Sequence, residues 1–498
     1  MLFTSFAFIF AFLPVVFVGF FVLARIHRGT AAAWLAGASV FFYGWWDVQY
    51  VPLLLGSIVL NYTAGYVIAR LRDRSPWAKR FLVGSIVANL ALLAYYKYAN
   101  FFLAEIVAPL GGHPPVLNVV LPIGISFFTF TQIAFLVDAW KGKAREYNFV
   151  HYLLFVTWFP HLIAGPVLHH GQMMPQLRNP AVYRVRSRNL AIGLVLFTIG
   201  ISKKLLIADP ISVYADPIFT AAASGNAVGF VGGWVGALAY TFQIYFDFSG
   251  YSDMAVGLSM LFGVQLPINF NSPYKSVNII DFWRRWHMTL SQFLRDYLYI
   301  PLGGNKHGQI WRYFNLMATM VLGGLWHGAN WTFIVWGGLH GAFLCANHAF
   351  QWVSRKLGIA GCAPGWLTAP LGVLLTFFMV VIAWVYFRAP NLAAANSIVA
   401  AMAGIATPAE WPDVLNEQSA LVFIAYLMLS AMIVWLCPNA YELADLVENR
   451  IKLEGAGGRH LGAMLCISGA VVCVFLFAAS LATTFGTNVN SPFLYFQF

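Results

Sequence analysis

The chain has 498 residues, of which 60% are hydrophobic and only 9% charged, against about 25% charged in a soluble domain. That excludes a soluble globular protein, and apolar runs that are continuous rather than alternating exclude a closed barrel. The formal charge of +11 does not form a nucleic-acid surface, because the basic residues fall in short clusters between apolar runs, the pattern of cytoplasmic connectors.

In chain order, the first apolar run, Phe6 to Leu23, has no basic residues before it and no small-residue cleavage site after it. It reads as a retained helix rather than a signal peptide. Helices are predicted over about 6–24, 31–46, 48–69, 81–108 and 119–140. The segment 148–166 has basic connectors at both ends, so it is expected to enter the membrane and return on the same side. Crossings near 189–208 and 229–246 follow, then a polar central block over about 247–312. Three further crossings are expected near 368–388, 418–437 and 461–482, giving roughly ten in all at about 20 residues each. Basic clusters place 71–80, 141–145, 178–188 and 351–357 in the cytoplasm. The connectors 109–118, 209–226 and 407–418, poor in Lys and Arg, belong outside. No soluble linker and no repeat of fixed period interrupts this pattern. The expectation is one membrane-embedded domain, 1–498.

The stretch LGGLWHGANWTFIVWGGLHG, 322–341, is apolar yet carries His327, Asn330 and His340. Basic groups flank it on both sides, and an arm from Tyr313 to Leu325 is too short to cross a core of about 30 Å. The chain is therefore expected to turn at GGLWHGAN, with His327 at a helix break. Non-helical backbone at that depth is tolerated only where protein or a water-filled cavity surrounds it. Buried polar groups in membranes are rare and usually functional, which singles out His327. His340, 13 residues later, falls on another face of an ideal helix and reads as a buried, hydrogen-bonded structural histidine. His27, His113, His307 and His460 read as loop residues, and His151, His161 and His348 as flanking helices. The pair His169–His170 has no carboxylate or cysteine at ligand spacing, so no metal is expected. The five cysteines show no paired spacing, and no disulfide framework or zinc site is expected.

The second polar concentration, 278–308, holds Asp281, Arg284, Arg285, His287, Arg295 and Asp296 among aromatic neighbours. It reads either as an interfacial helix whose arginines reach lipid head groups or as a re-entrant helix lining a cavity for an anionic ligand.

LWHGANWTFIVWGGLHG preceded by DFWRRWHMTLSQFLRDYLYIPLGGN resembles the signature of the membrane-bound O-acyltransferase family, and within it the bacterial alginate O-acetyltransferase branch. FYGWWDVQYVPLLLGSIVLNY, GPVLHHGQMMPQL and YFDFSGYSDMAVGLSMLFG are similar to that branch in the same order. The resemblance covers about residues 1–350; beyond 360 only hydropathy is recognisable. It implies an all-α bundle of about ten transmembrane helices plus re-entrant helices around a tunnel, in the bacterial inner membrane. It also implies acyl transfer, with the family's invariant histidine carried to His327 and its second functional histidine to His287. An imidazole with a pKa of about 6.5 suits a general base, and Asn330 and Trp326 are candidate substrate contacts. Asn330 is a candidate oxyanion donor or orienter of the imidazole. Arg284, Arg285 and Arg295 are candidates for the phosphates of a coenzyme A donor. The implied co-substrate is acetyl-CoA or another acyl thioester, with no tightly bound cofactor. The implied partners are a polysaccharide acceptor or a periplasmic acetyltransferase, and membrane lipids, with no nucleic acid. A D-alanyl or peptidoglycan-type acyl exporter of the same family is the near alternative. A transporter or flippase is the distant one, disfavoured because no internal repeat is found.

Overall fold

A computed structural model of the chain describes all residues except 74, 113–114, 145–147, 359–363, 406–416, 455–458, 488–490 and 495–498. His113, Cys362 and most of the acidic connector at 407–418 lie outside the described residues. The described chain is mostly helical, with no β-strand among the described residues. Six helices in it are long and apolar enough to cross a membrane, accompanied by shorter apolar ones.

The helices are α1 (Ala7–Ile26), α2 (Arg28–Gly44), α3 (Val48–Leu71), α4 (Trp77–Leu110) and α5 (Ile125–Trp140). Then come the short α6 (Phe149–Thr157) and α7 (His170–Arg178), and the long α8 (Ser187–Ala223) and α9 (Phe230–Leu261). The central region supplies α10 (Ile279–Arg285), α11 (Met288–Leu294), α12 (Gly308–His327) and α13 (Trp331–Lys356). The C-terminal part adds α14 (Gly365–Arg388), α15 (Leu392–Met402), α16 (Glu417–Trp435), α17 (Ala440–Glu454) and α18 (Arg459–Thr487).

The chain packs as two compact units: Met1–Ile201 with Tyr251–Ile268 and Leu443–Phe496, and Ser202–Gly250 with Asn269–Glu442. In the first, small and polar residues let apolar helices meet closely, as expected where lipid offers no hydrophobic drive. Trp34 of α2 donates its indole N–H to the Val16 carbonyl at 3.1 Å. Asn61 of α3 and Asn89 of α4 exchange reciprocal amide hydrogen bonds at 2.7 and 3.1 Å. Buried Gln132 of α5 donates to Ser57 at 3.0 Å. In the second unit, Lys204 is 1% exposed and donates to Asp209 and Asp247, each at 2.7 Å.

Several boundaries differ from the sequence reading. Residues 119–124 are not helical; Pro122 precedes Gly124, which sits at φ 72 and starts α5. The predicted external connector 209–226 is helical as far as Ala223, continuing α8, and it buries Ile211, Tyr214, Ala215, Ile218 and Phe219. Pro210 sits in the first turn of that segment, and the missing N–H of Pro217 is accommodated within the helix. The polar central block likewise begins too early, since 247–261 belongs to α9 and Asp247 is consumed by Lys204. The segment 148–166 holds only nine helical residues before a buried turn region at 158–165, about 14 Å of helix, too little to cross.

Candidate active site

The polar concentration at 278–308 folds as two short helices with a sharp break. Asn278 caps α10 by accepting from the Asp281 N–H at 3.0 Å. The helix ends at Arg285, and His287 takes φ 43 and ψ 53 before α11 begins. This left-handed bend turns the His287 ring into the interior, where it is 1% exposed.

α12 and α13 form an antiparallel hairpin whose tip is Gly328–Asn330. Two glycines set its closeness. A methyl at Gly337 would overlap the Met320 carbonyl, and one at Gly324 the Phe333 carbonyl. The break therefore falls where the sequence placed it, but α12 has 20 residues, about 30 Å, not the short arm expected. His327 is the last residue of α12, 6% exposed. Gly328 admits the ring of Phe333, since a Cβ there would strike that ring.

These two breaks bring the histidines together. The His287 and His327 rings are 6.5 Å apart, with the Trp326 ring 4.9 Å from His327 and 6.5 Å from His287. Trp336 at 5.2 Å and Phe387 at 5.1 Å pack edge to face against His327, and Phe248 against His287 at 4.8 Å. The result is a buried aromatic cage around two imidazoles. His340, wholly buried, accepts from the Trp283 indole at 3.3 Å and stacks on Phe282. Its hydrogen-bonded role agrees with the sequence reading, though the ideal-helix reason does not. The helix breaks between the two histidines, and both pack on Trp336.

The arginines separate. Arg284, Arg312 and Arg355 line a cavity of about 750 Å³ with Asp281, Gln351, Trp352 and His348. Arg312 donates to His348 Nδ1 at 2.6 Å. Arg285 turns away to Asp281 at 2.9 Å, and Arg295 pairs with its neighbour Asp296 at 2.7 Å, outside the cavity lining. α10 thus serves both places: Asp281 and Arg284 on the cavity, Phe282 and Trp283 in the cage. The Asn330 carboxamide has a structural partner at each end. Its Oδ1 accepts from Thr332 N at 3.0 Å as the cap of α13, and its amide donates to the Pro390 carbonyl at 2.7 Å. Among the described residues, no group of three His, Cys, Asp or Glu side chains is placed to hold a metal.

The sequence reading missed three contributors. Trp384 and Phe387 of α14 complete the cage from a region without recognisable motif. Asn269 accepts from buried groups around His287. The two asparagines of PINFNSP, Asn269 and Asn271, were the available signal, since polar side chains in an apolar chain are seldom idle.

With the geometry in place, sequence comparison identifies the family. The profile of the membrane-bound O-acyltransferase family matches residues 116–388. The chain belongs to that family. It is 38% identical to "Peptidoglycan O-acetyltransferase" of Helicobacter pylori over all of this chain and 98% of the relative. It is equally 38% identical to "Probable alginate O-acetylase AlgI" of Pseudomonas aeruginosa over the full length of both. "Teichoic acid D-alanyltransferase" of Bacillus subtilis is 28% identical over 64% of this chain and 79% of its own. As a membrane-bound O-acyltransferase, the chain is an acyltransferase of the membrane.

Proposed function

We propose that this acyltransferase is an O-acetyltransferase of the bacterial inner membrane, crossing it about ten times. It takes acetyl from cytoplasmic acetyl-CoA and delivers it outward for modification of a cell-envelope glycan such as alginate or peptidoglycan. A periplasmic acetyltransferase protein is its proposed partner, and no bound cofactor is required. The observation that carries this reading is the pair His287–His327, each at least 94% buried and caged by aromatic rings. The names of the relatives support O-acetyl transfer over D-alanyl transfer, because the O-acetylating relatives match end to end.

In the proposed step, a hydroxyl oxygen of the acceptor attacks the thioester carbonyl. His327 removes the hydroxyl proton as the C–O bond forms, and the tetrahedral centre expels the coenzyme A thiolate as the C–S bond breaks. The thiolate then takes the proton back from His327, so acetyl ester and free thiol are the only products. Such a base contributes typically 10²- to 10⁴-fold. The aromatic cage excludes water that would hydrolyse the thioester and strengthens hydrogen bonds to the developing oxyanion. Arg284, with Arg312 and Arg355, offers guanidinium forks to the donor's phosphates.

The test is acetyl transfer by purified variants in nanodiscs, with thermal stability measured alongside. His327→Ala should fold, bind donor and lose about 10²-fold or more in kcat, and His287→Ala should also weaken transfer. Near-normal turnover by folded His327→Ala overturns the assignment.

A further inference from the structure

His287 holds a backbone conformation that non-glycine residues rarely adopt, φ 43 and ψ 53. Such a conformation persists only where the surroundings over-determine it. The surroundings are the segment from Asn269 to Asn271. The Asn271 N–H donates to the Arg285 carbonyl, and the Met288 N–H to the Asn269 carbonyl, both at 2.9 Å. The backbone is thus stapled on either side of His287.

The Asn269 side chain completes the hold. Its Oδ1 lies 3.0 Å from His287 Nδ1, and receives the Thr289 hydroxyl at 2.9 Å and the Thr289 backbone N–H at 3.3 Å. A backbone N–H can only donate, so this end of the carboxamide is the carbonyl oxygen rather than the NH₂. A carbonyl oxygen has no proton to give. His287 Nδ1 therefore carries the hydrogen, and in the neutral ring Nε2 holds a lone pair. Nε2 is buried and has no hydrogen-bond partner among the described residues.

We infer that Asn269 is a positioning residue for acyl transfer, holding His287 as the Nδ1–H tautomer and leaving Nε2 as a proton acceptor in the buried space beside His327. The inference rests on the proposal that the two histidines carry the transfer. It gives the strained bend a purpose: the bend and the carboxamide together present one particular ring nitrogen. An apolar residue at 269 would leave the ring free to turn or change tautomer.

Two measurements test it. In protein labelled with ¹⁵N-histidine, the imidazole signals absent from His287→Ala report the tautomer directly; protonation at Nδ1 is expected, and protonation at Nε2 would overturn the inference. In parallel, kcat is followed against pH with acetyl-CoA as donor for Asn269→Ala and Asn269→Asp. Asn269→Ala should lose at least about tenfold in kcat, within the range of a mispositioned base, with donor KM unchanged. Asn269→Asp keeps the acceptor and should recover most of that loss. Its added negative charge favours the imidazolium, so the acid limb of its profile should move to higher pH. Both variants folded, at full turnover and with the unaltered profile, would overturn the inference. Should Asn269→Ala not fold, the aspartate profile and the nitrogen signals still decide. Full turnover by folded His287→Ala would overturn the reading of the pair, and this is distinguishable because the nitrogen signals do not depend on activity.

Discussion

Asn330 shows how a polar side chain near a catalytic-looking histidine can be occupied elsewhere. Both ends of its carboxamide are engaged, one capping α13 and the other holding the Pro390 carbonyl. Asn330→Ala should therefore lower the melting temperature, by a cap's worth of about 0.5–2 kcal/mol, while kcat stays within about threefold of wild type. A loss of turnover as deep as that of His327→Ala, in a protein of unaltered stability, would return Asn330 to the chemistry. The contrast marks what was legible at this scale. His327 stands out in the sequence because a buried imidazole in an apolar chain needs a reason, whereas His287 was legible only through the family resemblance. The cap of α13 is a local role for Asn330, but its second partner is a carbonyl 60 residues away, which no local pattern announces.

Among the elements, the α12–α13 hairpin and α10 carry the site. At Gly337 any side chain meets the Met320 carbonyl, so Gly337→Val should force the two helices apart. Overpacking of that kind costs roughly 1–3 kcal/mol. Lower folded yield and lower turnover should appear together, whereas Gly338→Ala, where a Cβ meets nothing, should be silent. Equal behaviour of the two variants would show that the close approach is not what sets the hairpin. On α10, Arg284 lines the basic cavity and Arg295 lies outside it on another element. Arg284→Ala should raise the donor KM by roughly tenfold, the scale of one charge-assisted hydrogen bond, with a smaller change in kcat. Arg295→Ala should leave KM alone. The reverse ranking would move the donor's phosphates away from this cavity. The helix break at GGLWHGAN was legible because glycines interrupt an apolar run there. The extension of α8 through Pro210 and Pro217 was not, because tertiary packing of an apolar face overrode two residues that ordinarily end helices.

For the whole molecule, hydropathy was enough for the class of fold, since lipid admits only helices and closed barrels and continuous apolar runs exclude the barrel. The sidedness rests on the distribution of lysine and arginine. It is checked by single cysteines in a background lacking Cys345, Cys362, Cys437, Cys466 and Cys473. A cysteine at Asn226, in the exposed turn after α8, should react with impermeant reagent from the periplasmic face. One at Lys356, at the end of α13, should react only after the cytoplasmic face is opened. Labelling of both from the same side would overturn the topology.

The close of α14 has a practical consequence for recombination between relatives. Phe387 lies against the His327 ring and the Pro390 carbonyl takes the Asn330 amide, although the last recognisable motif ends near His340. A crossover between relatives placed just after α13 would divide the wall of the histidine chamber between two parents. Chimaeras joined beyond Pro390 keep that wall of one ancestry. If acceptor choice is to be exchanged by grafting, the productive joint is therefore beyond Pro390, about 50 residues after the last motif.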